Sequence, residues 1–138
     1  MVEKTTEIQQ LSELGYSSKA IELYKNKVNV GVINNCDADA VFLGTHGDLI
    51  RLYIKLNGEN VEDAKFLCYG CPGSSCALSA LTLIITGKPL DYTKKITEND
   101  IIQALGGLPE TKYECAELAL KTLKKAITGY EKSHATQQ

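Results

Sequence analysis

The sequence predicts an α+β domain in which a small antiparallel sheet packs against helices. Three observations carry that reading. Helix-period patterns occupy both ends of the chain, a strictly alternating segment lies between them, and that segment ends at Asn57-Gly58, a strong hairpin dipeptide.

Taken in order, Thr5 to Leu14 places Ile8, Leu11 and Leu14 at helical spacing, and Gly15 stops the run. Ser17-Ser18 caps a second short helix through Tyr24, with Ala20, Ile21 and Tyr24 on one face. Val41-Phe42-Leu43 reads as a short strand. From Asp48 to Leu56 the chain alternates, with Ile50, Leu52, Ile54 and Leu56 on one side and Leu49, Arg51, Tyr53 and Lys55 on the other. A return strand runs from about Val61 to Tyr69, so the sheet is a meander. The period then changes. Ser74 to Thr86 carries Ala77, Leu78, Leu81, Ile84 and Ile85, and Gly87 with Pro89 ends that helix. Thr97-Glu98-Asn99-Asp100 is a helix start for Ile101, Ile102 and Leu105, closed by Gly106-Gly107. A last helix, roughly Thr111 to Tyr130, aligns Cys115, Leu118, Ala119, Leu123, Ala126 and Ile127. Residues 132–138 form a polar tail expected to be flexible. No repeat or linker divides the chain, so residues 1–138 read as one domain.

Composition narrows the function. The 138 residues are about one domain long, and 43% apolar content supports a continuous core. Lys+Arg 15 against Asp+Glu 17 gives a formal net charge of −2, which offers no basic field for nucleic acid. The polar start lacks the apolar segment of a secretion signal, and the longest apolar run, Ala77 to Ile85, is too short to span a bilayer. A cytoplasmic, membrane-free protein is expected. Five cysteines in a reducing compartment argue against a disulfide framework and for metal ligands, nucleophiles or core fillers.

Three segments concentrate the chemistry: Gly44-Thr45-His46-Gly47-Asp48, Gly70-Cys71-Pro72-Gly73 and Leu108-Pro109 leading to Cys115. Each sets a soft or borderline metal ligand beside glycine or proline, where the chain turns sharply. Cys71 falls at a helix N-terminus, whose dipole and free N–H groups favour the thiolate. Cys115 occupies the first turn of the last helix, the same electrostatic setting, although on an apolar stripe it is also a natural core residue. His46 and Asp48, with one residue between them, form either a compact two-ligand corner or an ordinary solvated turn. Cys68 and Cys71 have C-x-x-C spacing, but strand alternation turns Cys68 to the opposite face. Cys36, Cys68 and Cys76 are expected to be structural. No phosphate loop or nucleophile-elbow serine is present, and a Cys71–His46 nucleophile pair has no evident oxyanion hole.

The ordered set Tyr24, Asn29-Val30-Gly31, Gly44-x-x-Gly47-Asp48, Asp63-Ala64-Lys65-Phe66, Gly70-Cys71, Gly87-Lys88, Leu108-Pro109-x-x-Lys112 and Cys115-x-x-Leu118-Ala119 resembles the iron–sulfur cluster assembly scaffolds of the IscU/NifU type, from about Ser17 to Tyr130. The resemblance implies a SufE/NifU-like α+β fold with a three-stranded antiparallel sheet covered by helices. It also implies a non-enzymatic scaffold for a transient cluster, commonly [2Fe–2S]. Sulfur would come from a cysteine desulfurase, and apo iron–sulfur proteins would receive the cluster. The cluster-binding positions carry over to Asp48, Cys71 and Cys115, while the family's first cysteine is His46 here. Imidazole can ligate cluster iron. With two thiolates and a carboxylate it also makes a zinc site, but it cannot accept a persulfide. Two further departures are Glu114, where the family often has histidine, and Leu108-Pro109-Glu110-Thr111-Lys112 in place of a Leu-Pro-Pro-Val-Lys chaperone-recognition stretch. Alternatives to the scaffold are a zinc-bound, sulfurtransferase-like acceptor for a desulfurase and a member that has lost assembly chemistry and serves as an interaction or regulatory protein. An exposed site of this kind can also be completed across a homodimer.

Overall fold

A computed structural model describes residues 2–136 of the chain, with side chains from 7 to 134. The elements run α1 (Val2–Glu13), α2 (Ser18–Lys25), β1 (Ala38–Leu43), β2 (Leu49–Asn57), β3 (Asn60–Tyr69), α3 (Pro72–Ile85), α4 (Leu90–Thr93), α5 (Glu98–Ala104) and α6 (Tyr113–Thr136), with a 3₁₀ turn at Glu110–Lys112 before the last helix. This is the α+β order expected from the sequence, and the sheet is antiparallel with strand order β1-β2-β3.

The alternation in β2 decides which face is buried. Ile50, Leu52 and Ile54 are sealed from solvent, together with Ala38 and Ala40 of β1 and Ala64 and Phe66 of β3. Against this face lie α6, crossing β1 and β2, and α3, crossing β3. Leu78, Leu81 and Ile85 of α3 are fully buried, each contributing about 2 kcal/mol of transfer free energy. The β2–β3 hairpin pairs Asn57 with Asn60, and Gly58 takes φ +65° in the turn, a conformation that side-chain-bearing residues rarely adopt. A register shift at Lys55/Leu56 ends the regular alternation one residue before the expected boundary.

Local caps follow the sequence signals. The Ser17 side chain accepts from the Ala20 N–H at 3.0 Å, and its hydroxyl donates to the Leu105 carbonyl, tying α2 to the end of α5. Thr97 and Asp100 form a reciprocal capping box at α5. Three features differ from expectation. Strand β1 begins at Ala38, because small alanines pair with Ile54 and Leu52 without showing a strong apolar pattern. Helix α4, four residues after Pro89, is too short to leave a periodic trace. Helix α6 continues through 132–136, where polar composition suggested a tail; residues 137–138 lie outside the described part.

Candidate metal centre

Sheet register builds the first half of the site. Leu43, Leu49 and Tyr69 are aligned across the three strands, which puts Asp48, just before β2, beside Gly70, just after β3. The preceding turn is closed by Gly44 N–H donating to the Asp48 carbonyl at 2.8 Å and Gly47 N–H donating to the Gly44 carbonyl at 3.0 Å. Gly47 adopts φ +90° there. The Asp48 carboxylate lies flat against Gly70: a Cβ at position 70 would sit 2.2 Å from Asp48 Oδ1. Glycine is needed at 70 because the carboxylate occupies the space of a side chain.

Helix starts supply the second half. Cys71 is the N-cap residue of α3, with Pro72 in the first turn. Its backbone N–H donates to Asp48 Oδ1 at 3.2 Å, and the Ser74 hydroxyl donates to Asp48 Oδ2 at 2.5 Å. Cys115, in the first turn of α6, reaches the same point across Gly73, where an added Cβ would lie 2.9 Å from Cys115 Sγ and 3.0 Å from the Tyr16 hydroxyl. The two sulfurs are 3.6 Å apart, and Cys71 Sγ is 3.3 Å from Asp48 Oδ2. All three donor atoms lie within 4.8 Å of one another.

The Cys71–Cys115 and Cys71–Asp48 separations match those around a shared tetrahedral ion. Two thiolates at the usual 2.3 Å metal–sulfur distance span about 3.8 Å, and a thiolate and a carboxylate oxygen span about 3.5 Å. The site opens into a cavity of about 690 Å³ that His46, Ser74, Lys112 and Glu114 also line, so a bound group would remain accessible from solvent.

Protonation is unequal across the donors. Cys71 is lowered to about 6, chiefly because Cys115 donates to it and with help from Ser74 at the helix start; burial and the Asp48 carboxylate work against this. Cys115 is raised far above the usual thiol range by its bond to the Cys71 thiolate and then by burial. Two thiols this close share one proton instead of both ionising, so the equal helix-terminus setting expected for them does not produce equal thiolates. For Asp48, burial opposes ionisation, but hydrogen bonds from Ser74 and Cys71 outweigh it and lower its pKa.

The predicted site residues divide. Asp48, Cys71 and Cys115 come together, whereas His46 lies outside their 4.8 Å group. His46 is instead paired with Glu114, Nε2 to Oε2 at 3.1 Å. Cys76 is buried, and its thiol donates to the Ala20 carbonyl at 3.3 Å. Cys68, half-buried, pairs with Ile50 in the sheet and lines a separate cavity that residues of α1, α2 and α3 also line. Cys36 is half-buried in its loop. Burial raises the pKa of all three. Sequence reasoning missed Ser74 and Tyr16. Ser74 is the third residue after Cys71, the position from which a helix-start hydroxyl meets a capping neighbour. Tyr16 left no local signal, since it reaches Gly73 only through the tertiary fold.

Fold and donors define a class: a small α+β domain that gathers two thiols and a carboxylate at the open end of its sheet. Comparison makes this specific. The model of the NifU-like N-terminal domain matches residues 15–137, and the chain belongs to that family. It is 37% identical over 116 residues to iron–sulfur cluster assembly scaffold protein IscU 1 of Archaeoglobus fulgidus, covering 83% of this chain and 76% of that protein. It is also 37% identical over 123 residues to the scaffold protein IscU of Escherichia coli K12, covering 86% and 95%. A crystal structure of the N-terminal part of a NifU-like protein from Brucella abortus shares the fold, with TM-score 0.71, 16% identity and coverage of 88% and 98%.

Proposed function

We infer that this protein is an iron–sulfur cluster assembly scaffold, a carrier and not an enzyme. The observation that carries the reading is the convergence of Asp48 Oδ2, Cys71 Sγ and Cys115 Sγ within 4.8 Å at a solvent-open cavity. The family and the scaffold names of its relatives support it. The cluster is cargo, [2Fe–2S] in our reading, held by these three residues with His46 as the fourth donor. Thiolates and imidazole suit iron in clusters, and the carboxylate provides a weaker oxygen donor that eases release. Zinc is the alternative occupant of the same donors.

A cysteine desulfurase is the proposed sulfur donor, and apo iron–sulfur proteins are the acceptors. Since His46 cannot carry sulfur, the entry point is Cys71, the thiol held ionised. Its thiolate attacks the outer sulfur of the donor's persulfide. The new Cys71–sulfur bond forms as the donor's sulfur–sulfur bond breaks, and the donor thiolate leaves with the electron pair. The Ser74 backbone N–H and the N-terminus of α3 favour the attacking thiolate, while Cys115 holds the proton.

The test is a visible absorption spectrum after anaerobic incubation with ferrous iron, cysteine and a desulfurase, followed by desalting. Persistent sulfide-to-iron bands are expected in the wild type and in Cys36→Ser. Cys71→Ser and Cys115→Ser should each lose them; retention in both would defeat the reading.

A further inference from the structure

Glu114 lies outside the donor group, yet its carboxylate is the partner of His46, with Oε2 3.1 Å from Nε2. The two residues come from different elements. His46 sits two positions before Asp48 in the β1–β2 turn, and Glu114 immediately precedes Cys115 at the start of α6. Both line the cavity that holds the donors. With side chains 72% and 54% exposed, the pair adds little to stability. Its effect is on the imidazole. A carboxylate only accepts, so Nε2 carries the hydrogen in this pair, and in the neutral ring the lone pair is left on Nδ1.

We propose that Glu114 is a positioning residue that presents His46 through Nδ1 as the fourth donor beside Asp48, Cys71 and Cys115. The proposal rests on the scaffold reading above. Metal-binding histidines commonly give their second ring N–H to a carboxylate, which fixes both tautomer and ring orientation. Charge favours the same division of roles. Two thiolates, Asp48 and a neutral imidazole bring three negative charges to a metal, whereas Glu114 in place of the imidazole would bring four within one small site.

The test uses the full-length protein and zinc(II) alone, with affinity read by competition against a chromophoric chelator and the ring nitrogens by ¹⁵N-histidine NMR. His46 is assigned by its loss in His46→Ala. Expected are an Nε2–H tautomer in the wild type and a zinc-shifted Nδ1 on loading. Glu114→Ala should bind zinc about 10–100-fold more weakly and lose the tautomer preference. Glu114→Gln, whose amide oxygen still accepts, should restore most of both. In a His46→Ala background, Glu114→Ala should cost nothing further. Unchanged affinity in Glu114→Ala, zinc on Nε2, or an added loss in the His46→Ala background would each overturn the proposal. Cys71→Ser separates the two levels: if it binds zinc as the wild type does, the donor-site reading itself fails, whatever Glu114 does.

Discussion

The tightest packing at the site gives the sharpest prediction. In Gly70→Ala the new Cβ would lie 2.2 Å from Asp48 Oδ1 and 2.5 Å from its Cγ, so the carboxylate must rotate away. Two hydrogen bonds then break, from the Cys71 N–H and from the Ser74 hydroxyl, the second leaving a fully buried serine without its acceptor. Bonds to a charged acceptor contribute about 1.5–3 kcal/mol each, and rehydration of the released carboxylate returns much of the sum. The net loss should be about 2 kcal/mol, or a fall in Tm of about 6–8 °C for a domain of this size. Gly70 is not among the glycines with positive φ, so no backbone strain adds to this.

Asp48 supplies all three of the closest atoms, which makes a double-mutant cycle decisive. Urea unfolding of the wild type, Gly70→Ala, Asp48→Gly and the double variant should show Gly70→Ala costing under about 0.5 kcal/mol once Asp48 is gone. An equal cost in both backgrounds would refute the account of Gly70.

Gly73→Ala should gain helix propensity, about 1 kcal/mol, yet push Cys115 Sγ and the Tyr16 hydroxyl from their 2.9 and 3.0 Å approaches; zinc affinity should fall at least tenfold, read by chelator competition. Iodoacetamide labelling of the metal-free protein, located by mass spectrometry, should modify Cys71 before Cys115 with a midpoint near about 6, and Cys115→Ser should move that midpoint up toward the ordinary thiol value. The thiol pair also predicts a pH profile of stability. The lowered Cys71 pKa stabilises fully above the unfolded thiol value of about 8.5 and is lost as pH falls through about 6. The raised Cys115 pKa stabilises below the unfolded value and is lost as pH rises above it. The difference in unfolding free energy between wild type and the Cys71→Ser/Cys115→Ser variant should therefore peak near pH 8–9, measured under reductant. A flat difference across pH 6 to 10 would contradict the shared-proton description.

Much of this was legible because the local signals agree with the global fold. The alternation at Ile50, Leu52 and Ile54 fixed the buried face, and Asn57-Gly58 placed the hairpin. Once the hairpin register is known, Asp48 must face Gly70, so the juxtaposition of two distant motifs follows from strand pairing alone. Cys71 at the head of α3 was legible from the change of period. What could not be read is set by tertiary contact. The sequence puts Cys71 and Cys115 in equal helix-terminal settings, and only their 3.6 Å separation makes one a thiolate and the other its donor. Likewise, His46 and Glu114 each stand out as departures from the family pattern, but nothing in the order of residues says that the two departures touch.

That inequality has a consequence for loading. At pH 7 Asp48 and Cys71 are already ionised in the metal-free protein, so Cys115 holds the one proton that a metal must displace from these three donors. Their own hydrogen bonds hold the donors within 4.8 Å, so binding exchanges a proton for a metal with little movement of the backbone. Zinc titration of the His46→Ala variant, which isolates these three donors, by calorimetry in buffers of different ionisation enthalpy should therefore give close to one proton released per ion at pH 7. At pH 5, below the Cys71 midpoint of about 6, the count should rise toward two. Two protons at pH 7 would mean that Cys71 is an ordinary thiol, and the assignment of Cys71 as the sulfur-accepting residue would fall with it.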